Sequence, residues 1–127
     1  NPKVWFGPHP DNLSPKFFDE TVENARLIID AVKPKRAKFA FEMMGWALPD
    51  SVESSVRLVK AVDREAFGVH LDPCNLINSP ERFYQNRQLL DDCFDKLGAP
   101  LPSDCVVIEG SPGALLFSSP DRYMPVS

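Results

Sequence analysis

The sequence predicts an α/β fold built on a parallel sheet, and two observations carry that prediction. Apolar residues recur at helical spacing in three long segments, and between these lie short segments with the two-residue alternation of a strand. Strands that alternate with helices imply βαβ units, parallel pairing and right-handed crossovers.

The first helix is expected over 14–32. Phe18, Val22, Ala25, Ile29 and Val32 recur at spacings of four and three and form one stripe. Ser14 suits an N-cap and Pro15 a first helical position, and Pro34 stops the run. Residues 37–42 (AKFAFE) then alternate as a strand, with Phe39 and Phe41 on one face and Lys38, Ala40 and Glu42 on the other. After the loop MMGWALPD, Asp50 or Ser51 caps a second helix whose inner face is Val52, Val56, Val59 and Val62. Residues 67–72 (FGVHLD) form a second strand, with Phe67, Val69 and Leu71 opposite Gly68, His70 and Asp72, and Pro73 ends it. Ser79, Pro80 and Glu81 open a third helix carrying Phe83, Leu90, Phe94 and Leu97, closed by Gly98 as a C-cap. Residues 105–109 supply a third candidate strand, and the Gly-, Ser- and Pro-rich remainder reads as loop.

Composition narrows the function classes. The 127 residues amount to one ordinary domain, and 43% hydrophobic with 25% charged residues is a globular balance that excludes general disorder. A net charge of -4 gives no footprint for a nucleic acid. No apolar run approaches the roughly 18–20 residues of a membrane span, and no basic-then-apolar leader opens the chain. Cys74, Cys93 and Cys105 have no CxxC spacing, which fits free thiols in a reducing compartment, so a cytoplasmic location is expected. The 13 prolines are about twice ordinary usage, and the chain begins at Asn1 without an initiator methionine, so one domain's worth of residues is expected to belong to something larger.

The candidate chemistry lies at the strand ends. Parallel strands are normally apolar on both faces, yet each of these carries a polar second face and ends in a carboxylate, Glu42 or Asp72. In α/β folds ligands bind at the carboxyl ends of strands. Two readings stand side by side: solvated strand-end acids that cap nearby loops, or hard oxygen donors for a divalent ion such as Mg²⁺ or Mn²⁺. His70 shares a face with Asp72 and is either a hydrogen-bonded core histidine or a group behind the site. Asn75, three residues past Asp72, reaches the same mouth or satisfies a turn. Trp46 is a loop-packing residue or a stacking wall for a sugar, and His9 sits in a Pro-rich entry loop. The chain contains no P-loop, GxGxxG, GxSxG or HExxH pattern.

Three stretches, GPHPDNLSPKFFDETVE, IIDAVKPKRAKFAFEMMGWALPDS and LVKAVDREAFGVHLDPCNLINSPERFYQN, followed by FDKLG, resemble the sugar phosphate isomerase/epimerase family of the xylose-isomerase-like TIM-barrel superfamily. The resemblance spans roughly residues 5–98 and is most specific at the two strand-loop segments that contain Glu42 and Asp72. It implies that 1–98 is a partial (β/α)₈ barrel, about half of the whole, with 99–127 an irregular tail for which truncation or a frameshift is one reading. Family sites hold one divalent metal by Glu, Asp, His and Glu. Glu42 matches the first Glu, Asp72 the Asp, and Glu109 in IEGSPG the late Glu; Asn75 stands where relatives often place a substrate-contacting His. The chain departs from the pattern at the third ligand, because APLPSDCVVIEG replaces a HAKD-like segment and no His follows His70. The implied reaction is proton transfer beside the carbonyl of a sugar or sugar phosphate, with Mn²⁺ or Mg²⁺ (Co²⁺ or Zn²⁺ as variants) polarising its oxygens and Glu42 serving as ligand and acid/base. Three other readings remain: an AP-endonuclease-like phosphodiesterase on the same fold, an inactive barrel fragment whose open sheet edges favour self-association, and a flavodoxin-like binding domain.

Overall fold

The computed structural model describes residues 7–98 and the backbone of 106–108. A short 3-10 turn, Pro10–Leu13, leads into α1 (Pro15–Val32), β1 (Phe39–Glu42), α2 (Val52–Val62), β2 (Phe67–Leu71), α3 (Pro73–Leu76), α4 (Pro80–Tyr84), α5 (Asn86–Gly98) and β3 (Val106–Ile108). The chain is therefore mixed helix and strand, with parallel pairing of β1 to β2 and of β2 to β3. Sheet order follows chain order, β1-β2-β3.

Local chemistry sets each boundary. Ser14 caps α1 by accepting the Phe17 N–H at 3.2 Å, and Lys33 ends it in the left-handed region at φ 49°, ahead of Pro34. Pairing in β1 begins at Phe39, two residues later than the alternation predicts, because its partner begins only at Phe67. Ser51 caps α2 through a reciprocal box, its hydroxyl accepting the Ser54 N–H while the Ser54 hydroxyl accepts the Ser51 N–H. The buried residues of α2 are Val52, Ser54, Ser55, Leu58 and Val62, whereas Val56 and Val59 are half-buried. Ser55 takes an inward position because its hydroxyl donates to the Ser51 carbonyl at 3.0 Å and so carries no unmet polar group into the core.

Four expectations need correction beyond β1. The second strand stops at Leu71 instead of 72, since Asp72 leaves the ladder to cap α3, a four-residue helix absent from the sequence reading. The single helix expected after Ser79 is two, broken at Gln85, so Phe83 stands exposed against Tyr84 and the inward stripe of α5 is Leu90, Cys93 and Leu97. Gly98 is the last residue of α5 and has no positive φ, so it does not make the left-handed cap expected of it. The third strand, expected over 105–109, is Val106–Ile108.

The helices pack on one face of the sheet. Phe67 and the half-buried Phe39 and Phe41 meet Val22, Ala25 and Ile29 of α1 and Leu58 and Val62 of α2, with the three rings 5.1–6.2 Å apart. Val69 and Leu71 meet Val52 of α2, Cys93 and Leu97 of α5, Leu76 of α3 and the loop residue Met43. Arg26 ties α1 to the end of α2, donating to the carbonyls of Ala61 at 2.6 Å and Val62 at 3.0 Å, which α2 leaves without helical partners. No described helix is long and apolar enough to cross a membrane.

Candidate functional site

The carboxyl ends of β1 and β2 lie side by side, with Glu42 opposite His70 in the pairing. Each strand continues into a loop that turns across the other's end. From β1 the chain passes through Met43, whose N–H donates to the His70 carbonyl at 3.3 Å. From β2 it passes through Asp72 into α3, and Pro73 cannot extend the ladder. The result is a small polar mouth formed by two adjacent loops.

Asn75 joins the two loops. One side-chain amide, Nδ2, lies 3.1 Å from Glu42 Oε1 and 2.9 Å from the Met43 carbonyl, and donates to both. Both amide hydrogens are thereby used, and one carboxylate oxygen of Glu42 is held in place. The other, Oε2, accepts no hydrogen bond from the described residues. Glu42 and Asn75 are both half-buried, so the carboxylate is anchored on a residue that is not closed off from solvent. An anchored, accessible carboxylate of this kind can accept or return a proton at a bound molecule.

Asp72 occupies the same mouth but is engaged locally. Its Oδ1 accepts the Cys74 N–H at 2.9 Å, the geometry of an N-cap. His70 is half-buried on β2. Trp46, 43% exposed, stands in the β1–α2 loop next to this mouth. His9 lies elsewhere in role: its Nδ1 accepts the Asp11 N–H at 3.2 Å and caps the entry turn on the surface. Glu109 lies outside the described residues.

Three further residues shape the mouth and were not singled out from the sequence. Asn12 donates from Nδ2 to the carbonyls of Gly7 at 3.0 Å and Trp46 at 2.9 Å, pinning the entry loop to the β1–α2 loop. Gly45 and Asn78 form a close approach: a Cβ at Gly45 would stand 3.1 Å from Asn78 Nδ2 and 3.3 Å from the Asn75 carbonyl. A glycine between a strand-end acid and a tryptophan was the available signal for that contact, and the asparagines gave none, since turn-satisfying Asn is the default in any loop.

A divalent ion takes several hard oxygen or nitrogen donors at once. Among the described residues no group of three or more His, Cys, Asp or Glu side chains converges closely enough to hold one. Glu42 and Asp72 supply two donors, and Asp72 already serves as a cap. The described side chains therefore do not make a complete ion holder on their own. In comparisons with known proteins, the chain matches no family model, no curated protein and no solved structure.

Proposed function

We propose that the chain carries part of the active face of a sugar or sugar-phosphate isomerase/epimerase of the (β/α)₈ class, acting by proton transfer beside a carbonyl. Support for the fold comes from topology. The strands follow one another in sheet order and the helices lie on one face, as in an arc of a barrel; a flavodoxin-like sheet reverses its order and is covered on both faces.

The observation that carries the function is the Glu42 carboxylate, fixed at a strand's carboxyl end by Asn75 on one oxygen, with no partner for the other among the described residues. In this reading Oε2 removes the proton from the carbon beside the substrate carbonyl and returns it, while Asn75 keeps the carboxylate oriented. Trp46, at the rim, offers an aromatic wall to the ring or chain of the sugar. The metal-dependent form of the reading, with Mn²⁺ or Mg²⁺, requires donors beyond the described residues, Glu109 among them. A homo-oligomer, a small sugar as partner and a cytoplasmic location complete the proposal.

The test is exchange of solvent deuterium into the carbon beside the carbonyl, followed by NMR over a panel of ketoses and ketose phosphates with and without Mn²⁺. Positioned acid/base groups contribute about 10²–10⁴-fold, so Glu42→Gln is expected to slow exchange by at least about 100-fold. Wild-type exchange no faster than buffer across the panel would sink the proposal.

A further inference from the structure

The amino ends of β1 and β2, at the far end of the sheet from Glu42, reverse the charge balance of the chain. Net charge is -4 overall, yet residues 33–38 (KPKRAK) hold four cations and no acid. The segment is a fixed bend. Lys33 lies in the left-handed region at φ 49°, Pro34 has its own φ locked, and the Phe39 N–H donates to the Ala66 carbonyl at 2.7 Å as β1 begins. A cleft of about 220 Å³ opens there, its lining including Lys35, Arg36, Lys38 and Glu65. A second cleft of about 360 Å³ shares Pro34, Glu65 and Ala66 with the first and adds Lys33, so the two form one trough.

The charges along this trough do not cancel. Asp30 lines it but is taken by Arg64, whose Nε and Nη2 donate to its two carboxylate oxygens at 2.8 and 2.9 Å. Setting that pair aside leaves Lys33, Lys35, Arg36 and Lys38 against the carboxylate of Glu65 among the described residues. Lys38 is positioned by its own bond, Nζ donating to the Glu65 backbone carbonyl at 2.8 Å. Lys35 and Arg36 are exposed and form no ion pair with another described residue.

We propose that this trough is a binding site for a compact oligophosphate, a chain of two or three linked phosphate groups. The spacing of the cations sets the class. Lys33 and Lys38 are separated by up to about 17 Å of chain, so one phosphate meets only part of the run, whereas linked phosphates meet its cations in turn. Arg36 offers a planar fork to two oxygens of one group, and the lysines meet the others as point charges. A bilayer or a nucleic-acid duplex fits less well. Outside the trough the chain is acidic, and it repels an extended anion over the roughly 8–10 Å that salt leaves unscreened. The trough and the Glu42 mouth lie at opposite ends of the strands, so this site stands independently of the isomerase reading.

Calorimetric titration of the full chain at low salt with inorganic triphosphate, diphosphate and orthophosphate tests the site. Triphosphate is expected to bind with a dissociation constant on the order of 100 µM, at least about tenfold tighter than orthophosphate. Adenosine triphosphate in the same series separates the sources: binding as tight or tighter marks a nucleotide, and weaker binding marks the free oligophosphate. Lys35→Gln and Arg36→Gln, both at exposed positions, are each expected to weaken triphosphate binding about threefold, and together about tenfold, with unchanged circular dichroism. Amide shifts of ¹⁵N-labelled protein should concentrate at 33–38 and 64–66. No triphosphate binding up to about 5 mM overturns the proposal, whether or not a DNA duplex or phosphatidylserine vesicles bind. Orthophosphate binding as tightly as triphosphate, an affinity that ignores both substitutions, or shifts confined to the mouth at Glu42 and Asn75 overturns it as well.

Discussion

Cys93 and Cys74 have different surroundings, the first buried and the second half-buried. Cys93 is fully buried between α5 and the sheet, and burial, with Asp92 and Glu53 adding to it, pushes its thiol up to about 11. A thiol needs to be a thiolate to attack a reagent. At pH 8 and without denaturant, Cys74 is therefore expected to be alkylated well before Cys93, which should react only as the chain unfolds; mass spectrometry of a timed iodoacetamide reaction reads the order. The contrast also marks what a sequence reveals at this scale. Glu42, Asp72, Asn75 and Trp46 were legible as strand-end residues because alternation and proline placed the ends. That Asn75 bonds Glu42 was not, since the contact joins residues 33 apart in the chain through two loops without periodicity. Nor was the division of labour between the two acids: Asp72 precedes Pro73, and the small helix it caps is too short to leave a repeating pattern.

Among the elements, the helices with one clean stripe matched their expected limits, and those with mixed stripes did not. α1 runs from Pro15 to Val32 as its cap and its proline stop dictate. In α2 four valines at helical spacing suggested the inner face, but Leu58 is buried in place of Val56 and Val59, and a self-satisfied Ser55 sits beside it. Periodicity alone favours apolar over hydroxyl side chains and so cannot see a serine that bonds its own helix. The two helices are coupled through Arg26, whose guanidinium supplies donors to two terminal carbonyls of α2. Arg26→Ala removes both and is expected to cost about 1–2 kcal/mol, since hydrogen bonds to charged groups are worth more than neutral ones. Urea unfolding followed by circular dichroism should show the lower midpoint. A Lys at the same position restores charge without the fork and should recover only part of the loss.

For the molecule as a whole, two ion pairs among the described residues tie separate parts of the chain together. Arg64 donates to Asp30 at the end of α1, and Lys96 of α5 donates to Glu53 of α2. The hydrogen bond from Arg64 holds Asp30 below its ordinary 3.8, and that from Lys96, with a backbone bond, holds Glu53 below its ordinary 4.5. Each carboxylate thus releases its proton more readily in the folded chain. Its contribution is present above the ordinary value and is lost as pH falls through the depressed one. Stability is expected to decline below about pH 4.5, and Glu53→Gln should flatten that decline in urea midpoints measured between pH 6 and 3. Both pairs are largely exposed, so the slope should be shallow and weaken further in salt. At this scale the alternation of helix and strand was enough to read a parallel α/β sheet, because each crossover needs a helix between its strands. The sheet's order was not readable, as it depends on which side each helix packs.

The double donation from Asn75 has one more consequence. Its two acceptors belong to consecutive residues, Glu42 and Met43, while Asn75 itself is fixed to β2 through the Asp72 carbonyl, which accepts its N–H at 3.2 Å. The amide therefore works as a vernier between neighbouring strands. Sliding β1 by even one residue, about 3.3 Å, breaks both bonds at once and turns Glu42 to the opposite face. Wherever those two bonds are made, the sheet is aligned, and the candidate proton-transfer group is delivered by the same act.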